Sequence, residues 1–252
     1  MNKTNPQEQN SFLEKAWQKF FKKDFEGSGE MFSDLLDKEP ENIEALYGRA
    51  CCLFRSDDFE ASLKDLASMN KLDSKDHRAY HVRGLLRGAE EKYKDAVKDL
   101  EKAISLTEEN LEAWLDLGGV YLLMKDYDEA LRAFEKAIDI DKSCPEGWTG
   151  KGMVALMRKE YKKAIEFLST AIKLDPKNLN AILARADAYL ESNKREEGLR
   201  DVKKASSIKS EIFKPSPEDG DEMEDDDKDD YDRDEDDDID EDAELEDVKL
   251  DD

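Results

Sequence analysis

Only two histidines occur in the 252 residues, His77 and His81, and their i, i+4 spacing sets both imidazoles on one face of a helix. Two imidazoles so placed can share a metal ion, but no Cys or carboxylate follows at ligand spacing, and Asp76, although adjacent, is expected to point elsewhere. Cys51, Cys52 and Cys144 make an odd number, two of them neighbours on one helix where a bridge is strained, so they read as free thiols of a reducing compartment. Asp234, Asp236 and Asp238 alternate as in a calcium loop. Ile239, however, stands where that loop needs glycine, and Leu245 where it needs its last glutamate. Ser216 precedes Pro217, Glu218 and Asp219, the composition of an acidic phosphorylation site. No Ser, His and Asp constellation, glycine-rich phosphate loop or Cys-x-x-Cys pair is present. These residues therefore predict neither catalysis nor a resident metal or cofactor.

The strongest pattern lies in the apolar and small residues. From Leu111 to Cys144, Trp114, Leu117, Gly118 and Tyr121, then Ala130, Phe134 and Ala137, recur at helical spacing in two segments that break at Lys125 and Asp126. Steps of 34 residues give starts at Gln9, Ile43, His77, Leu111, Pro145 and Leu179, the last copy ending at Ile212, with no insertion or deletion. The eighth position reads Ala16, Ala50, Gly84, Gly118, Gly152 and Ala186; the twentieth reads Ser28, Ser62, Ala96, Ala130, Ala164 and Gly198. Nothing larger than serine occurs at either, as two closely approaching helix backbones require. The seventeenth position is aromatic in Phe25, Phe59, Tyr93, Tyr127 and Tyr161 and becomes Arg195 in the last copy. At the twenty-seventh, Leu35 and Met69 precede Ala103, Ala137, Ala171 and Ala205, and Pro40 and Pro176 mark the end of the second helix in two copies.

This pattern resembles the tetratricopeptide repeat, a helix-turn-helix unit of about 34 residues with a Trp, Leu-Gly, Tyr, then Ala, Phe and late Pro signature. Lys142 replaces that late proline in the copy starting at Leu111. The resemblance implies an all-α, right-handed superhelical solenoid of six repeats over residues 9–212, after a flexible N-terminus of residues 1–8. In such a solenoid the first helix of each repeat, helix A, lines a concave groove with its second, fifth and ninth positions. Transferred to this chain, the groove floor is mostly apolar, with Trp17, Phe21, Tyr47, His81, Leu85, Leu115 and Met153 as the expected contacts. Some members of the family are co-chaperones that hold a carboxylate-ended tail in a clamp of Lys, Asn and Arg. Only Arg78 matches that clamp, beside Leu13, Trp17, Gly48 and Val82. Phe12, Leu13, Ala16, Trp17, Phe20 and Phe21 form an apolar band too broad for one neighbouring helix. Part of it is expected to meet the N-terminus, a second copy of the chain or a partner. The sixth repeat reads as an end cap, with Leu199, Val202, Ala205 and Ile208 inward and lysines outward.

Charge separates the repeats from the C-terminal segment. Residues 215–252 hold 24 Asp or Glu against Lys228, Arg233 and Lys249, a net −21 of the chain's −25. Such a segment buries too little apolar surface to offset its chain entropy, so residues 213–252 are expected to form a disordered acidic tail. Fully extended, residues 215–252 would reach about 130 Å. The tail could solubilise, fold back on basic residues such as Arg78, Arg83 and Arg87, or capture a Lys/Arg-rich client with Met223, Tyr231 and Ile239 as anchors. It disfavours direct nucleic-acid binding by repelling phosphate. No apolar run has the length of a signal peptide core or a membrane span, which predicts a soluble cytoplasmic or nuclear protein. The expected function is a non-catalytic scaffold taking a partner's peptide or helix in the groove. Alternatives are a chaperone for a basic client, such as a histone or ribosomal protein, and a protein that self-associates through the aromatics of repeat one.

Overall fold

The computed structural model describes residues 6–212, together with the side chains of residues 9–211. The tail residues Met223, Tyr231 and Ile239 lie outside them. Twelve α-helices and no strands occur among the described residues: α1 (Pro6–Phe21), α2 (Phe25–Lys38), α3 (Ile43–Arg55), α4 (Phe59–Leu72), α5 (His77–Ala89), α6 (Tyr93–Leu106), α7 (Leu111–Leu123), α8 (Tyr127–Ile140), α9 (Pro145–Met157), α10 (Tyr161–Leu174), α11 (Leu179–Glu191) and α12 (Arg195–Ile212). Odd-numbered helices are the A helices and even-numbered ones the B helices. Pro6 to Glu8 are helical instead of frayed, because α1 starts one turn before the repeat frame with proline at a position where its missing N–H costs nothing.

Local chemistry sets each boundary at the same place in the frame. Asn42, Asp76, Asn110, Cys144 and Asn178 cap the A helices after the first, each side chain accepting from a backbone N–H of the first turn. The turns between A and B helices place Lys23, Asp57, Glu91, Lys125, Lys159 and Asn193 at φ of 59–66°. Each occupies the fifteenth position of its repeat. None is glycine, so each carries the left-handed strain of an L-residue, roughly 1–2 kcal/mol. The C-terminal ends of the A helices are thereby closed and the chain turns back within three residues.

Packing follows the small positions. All twelve residues at the eighth and twentieth positions are buried. Where the twentieth is serine its hydroxyl is satisfied internally: Ser28 donates to the Ala16 carbonyl and Ser62 to the Ala50 carbonyl, both at 2.8 Å. Phe32, Leu66, Leu100, Phe134 and Leu168, at the twenty-fourth position, fill the space between one repeat and the next helix A. Their volume is matched across the junction. After Phe32 and Phe134 the next repeat has Gly48 and Gly150 at its sixth position; after the leucines it has Val82, Asp116 and Ala184. A Cβ on Gly48 would lie 2.2 Å from the Phe32 ring.

Each helix packs on its neighbours in the chain, and each A helix from α1 to α11 also touches the next A helix, whereas no B helix touches the next B helix among the described residues. Closer spacing of the A helices curves the stack and puts them on its inner face. At the far end the expected cap is incomplete. Ala205 and Ile208 are buried, but Leu199 is 52% and Val202 39% exposed. Val202 occupies the position that is buried in the five other repeats; among the described residues no helix A follows to cover it.

Candidate partner-binding groove

The second, fifth, ninth, twelfth and thirteenth positions of the A helices lie on the inner face. At the first three repeats they converge on a cleft of about 450 Å³. Trp17, Phe21, Tyr47, His81 and Leu85, five of the seven predicted contacts, line it together with Phe20, Cys51, Phe54, Arg55 and Val82. Trp17 is the centre of an aromatic cluster. Its ring meets Phe32 edge-on at 5.2 Å between centroids, Phe20 edge-on at 5.4 Å, and Tyr47 at 5.7 Å. Such geometry is favoured by the ring quadrupoles and fixes the rings in place. Phe21 closes the cluster on the outside at 6.1 Å from Trp17 yet is 77% exposed. The broad apolar band of α1 is thus used on one side by Phe32 and Tyr47 and left open on the other.

Most polar groups at the cleft are tied down; Arg55 has no ion pair among the described residues and lies over the Phe25 ring at 5.0 Å. Arg78 donates to Asp76 at 2.7 Å and to Glu44 at 2.9 Å, and its guanidinium stacks over Tyr47 at 4.7 Å. Burial outweighs the neighbouring Arg78 charge and pushes the Tyr47 phenol upward; burial likewise pushes the Cys51 thiol up to about 12. Both stay protonated. His81 Nε2 lies 2.6 Å from Asp116 Oδ2 across the junction of repeats three and four. His77 instead meets the side chain of Asn110 at 3.2 Å. The two imidazoles therefore serve separate contacts, His81 across a repeat junction and His77 between the two ends of its own repeat, and among the described residues no three His, Cys, Asp or Glu are grouped to hold a metal.

Leu115 and Met153 do not join this cleft. Leu115 packs with Ala130, Phe134 and Val154, and Met153 is half-buried on α9. Between them Gly119 leaves open space, since a Cβ there would meet nothing within 4 Å. Phe20 and Phe54 were missed by the second, fifth and ninth positions of the resemblance. The signal was the twelfth position, which reads Phe20, Phe54, Gly88, Leu122, Leu156 and Leu190. The thirteenth extends the apolar stripe through Leu123, 61% exposed, and Met157, 51% exposed. Glu14, Glu112 and Asp187 stand along the A helices with no ion pair among the described residues, while Arg83 and Arg87 are both engaged by Asp99. The inner face is thus mostly apolar with acidic edges; Arg78, Arg83 and Arg87 already have carboxylate partners, and Arg55 is a cation of the cleft with none among the described residues.

Residues 89–153 match one tetratricopeptide repeat family model and residues 145–178 a second. No curated protein matches the chain. Among solved structures, PilF of Pseudomonas aeruginosa superposes with a TM-score of 0.67 at 15% identity, over 80% of this chain and 96% of its own. A chain of the APC/C hetero-tetramer Cut9–Hcn1 gives 0.71 at 17% identity, over 79% of this chain and 40% of its own. YrrB, described as a tetratricopeptide protein with an unusual peptide-binding site, gives 0.54 at 23% identity, over 71% and 92%. Residues 89–178 thus match the tetratricopeptide repeat, and the described residues share the solenoid fold of these structures. No helix among the described residues is long and apolar enough to cross a membrane.

Proposed function

We propose that the protein is a non-catalytic interaction scaffold that holds a peptide or helix of a partner protein along its inner face. The observation that carries this is the cleft of repeats one to three, where Trp17, Tyr47 and Leu85 form a wall and Phe21 stands 77% exposed at the rim. A rigid aromatic pocket with few polar groups suits a bulky apolar anchor of the bound segment, and the fixed polar groups beside it orient the chain. The description of YrrB as having a peptide-binding site supports the same use of the fold. Selection of a displayed random peptide library on the full chain tests the reading. Enriched peptides should share an aromatic or large aliphatic residue, and Phe21→Ser should weaken them by about 1–2 kcal/mol, roughly 5- to 30-fold. Peptides whose binding is indifferent to Phe21→Ser and Leu85→Asp would refute it.

The acidic edges favour a second reading, capture of a Lys/Arg-rich client. Glu14, Glu112 and Asp187 have no cationic partner among the described residues, and residues 215–252 add a net −21. Binding of a basic protein such as a histone should then fall steeply between low and moderate salt and be lost from a chain ending at Lys214. Groove-bound peptides should survive both changes. Self-association through repeat one predicts a concentration-dependent mass that Phe21→Ser removes; a constant mass in sedimentation rules it out.

A further inference from the structure

Comparison of the repeats with one another exposes a second cleft. In repeats two, three and six the seventh position of helix A is an arginine held by an aspartate at the twenty-third position. The pairs are Arg49–Asp65, Arg83–Asp99 and Arg185–Asp201, with contacts of 2.7–2.8 Å. Repeat five keeps a cation there by another route. Lys151 Nζ lies 2.9 Å from Glu135 of the preceding helix B, 5.6 Å from the Trp148 ring centre and 4.8 Å from that of Phe167. Its side chain is only 14% exposed. Repeat five thus encloses an ammonium between a tryptophan at the fourth position and a glutamate at the twenty-fifth position of the repeat before.

Repeat four has the same tryptophan, Trp114, and the same glutamate, Glu101, but Leu117 replaces the cation and Ala133 its helix B partner. At that place a cleft of about 550 Å³ opens, with Trp114 and Tyr121 as walls and Leu117 and Ala133 at its base. Among the described residues Glu101 receives only the Tyr121 hydroxyl, at 3.2 Å, and Glu108 has no side-chain partner; Glu129 is occupied by Arg132 at the lip. Burial, with Glu101 beside it, pushes the Tyr121 phenol up to about 12, so it remains a donor to that carboxylate.

We propose that this cleft binds a lysine or arginine side chain of a partner protein, which supplies in trans the cation that helix A of repeat four lacks. The ammonium or guanidinium lies against the Trp114 face and on Glu101, as Lys151 does in cis on Trp148 and Glu135. The fourth, seventh and eleventh positions that form the cleft are a different stripe of α7 from the groove positions, so the proposal stands apart from the reading of the aromatic groove.

The test is an NMR titration of the full chain with Nα-acetyl-lysine-N-methylamide, its arginine analogue and the neutral norleucine analogue, read on the indole N–H of Trp114 with Trp17 and Trp148 as internal references. A saturable shift confined to Trp114 with at least one cationic probe, and none with norleucine, is expected. Glu101→Gln should weaken it about tenfold, the loss of one charged contact. Leu117→Lys should keep the thermal midpoint and abolish the titration, because the cage then holds its own cation. The proposal fails on an equal response to norleucine, a cationic shift that Glu101→Gln leaves intact, no saturable shift with either cation, or unfolding of Leu117→Lys.

Discussion

Gly150 offers the sharpest test of how neighbouring repeats are matched. A Cβ at this position would sit 2.4 Å from Cε1 of Phe134 and 2.5 Å from Cδ1 and Cζ, about 1 Å inside ordinary contact. The ring cannot retreat. Phe134 is 5% exposed, and on its other side an added Cβ at Gly118 would already be at 2.7 Å. Gly150→Ala gains about 1 kcal/mol of helix propensity. Overpacking of this kind costs about 1–3 kcal/mol and more where the neighbours are fixed, so the net expectation is a loss of about 1–2 kcal/mol. Phe134→Leu by itself leaves space beside both glycines and should cost about 1 kcal/mol. Together the two recreate the pairing already present as Leu168 and Ala184, so the double variant should be at least as stable as Phe134→Leu alone. Urea unfolding followed by circular dichroism measures the sum, and hydrogen exchange of α8 and α9 shows where it acts, since repeat arrays need not unfold as one unit. Costs that add to within about 0.5 kcal/mol would refute the matching argument.

Three further outcomes follow from single residues. Cys144 caps α9 with a thiol whose Sγ receives the Gly147 N–H at 3.5 Å, where other repeats use Asn or Asp; Cys144→Asn should stabilise by about 0.5–1.5 kcal/mol in denaturant titrations. Gly119→Phe adds a side chain to open groove and should leave the unfolding midpoint unchanged or higher, since glycine costs about 1 kcal/mol within a helix. The same change should weaken peptides that extend past repeat three, which fluorescence anisotropy would detect. Burial holds the Cys51 thiol up to about 12, so at pH 8 it is almost wholly protonated. Iodoacetamide should label Cys51 in the native chain far more slowly than in urea, with the native rate still rising between pH 8 and pH 10. A rate equal to that of the unfolded chain would overturn this account of the cleft.

The 34-residue frame was legible because the residues that make it are small or aromatic for reasons local to a helical hairpin. A backbone approach tolerates nothing larger than serine at the eighth and twentieth positions, whichever repeat is considered. Groove residues were legible where the rule was positional, as for Trp17, Tyr47 and His81. Phe54 was not, because whether the twelfth position faces the groove depends on the curvature of the stack. Nor was the open face of α12: Leu199 and Val202 are inward by periodicity, and only the lack of a covering helix makes them exposed.

By itself, then, the sequence determined the secondary structure, the number of repeats, their register and the separation of charge between residues 9–212 and the segment beyond. These depend on interactions within one repeat or on composition. Tertiary structure alone decided the pairing of Arg49, Arg83 and Arg185 with aspartates 16 residues away, the removal of Arg78 from the free cations of the groove, and the cation cage left empty in repeat four. Each requires two helices to meet at a defined rotation, and that rotation is set by the summed packing of side chains that are distant in the chain.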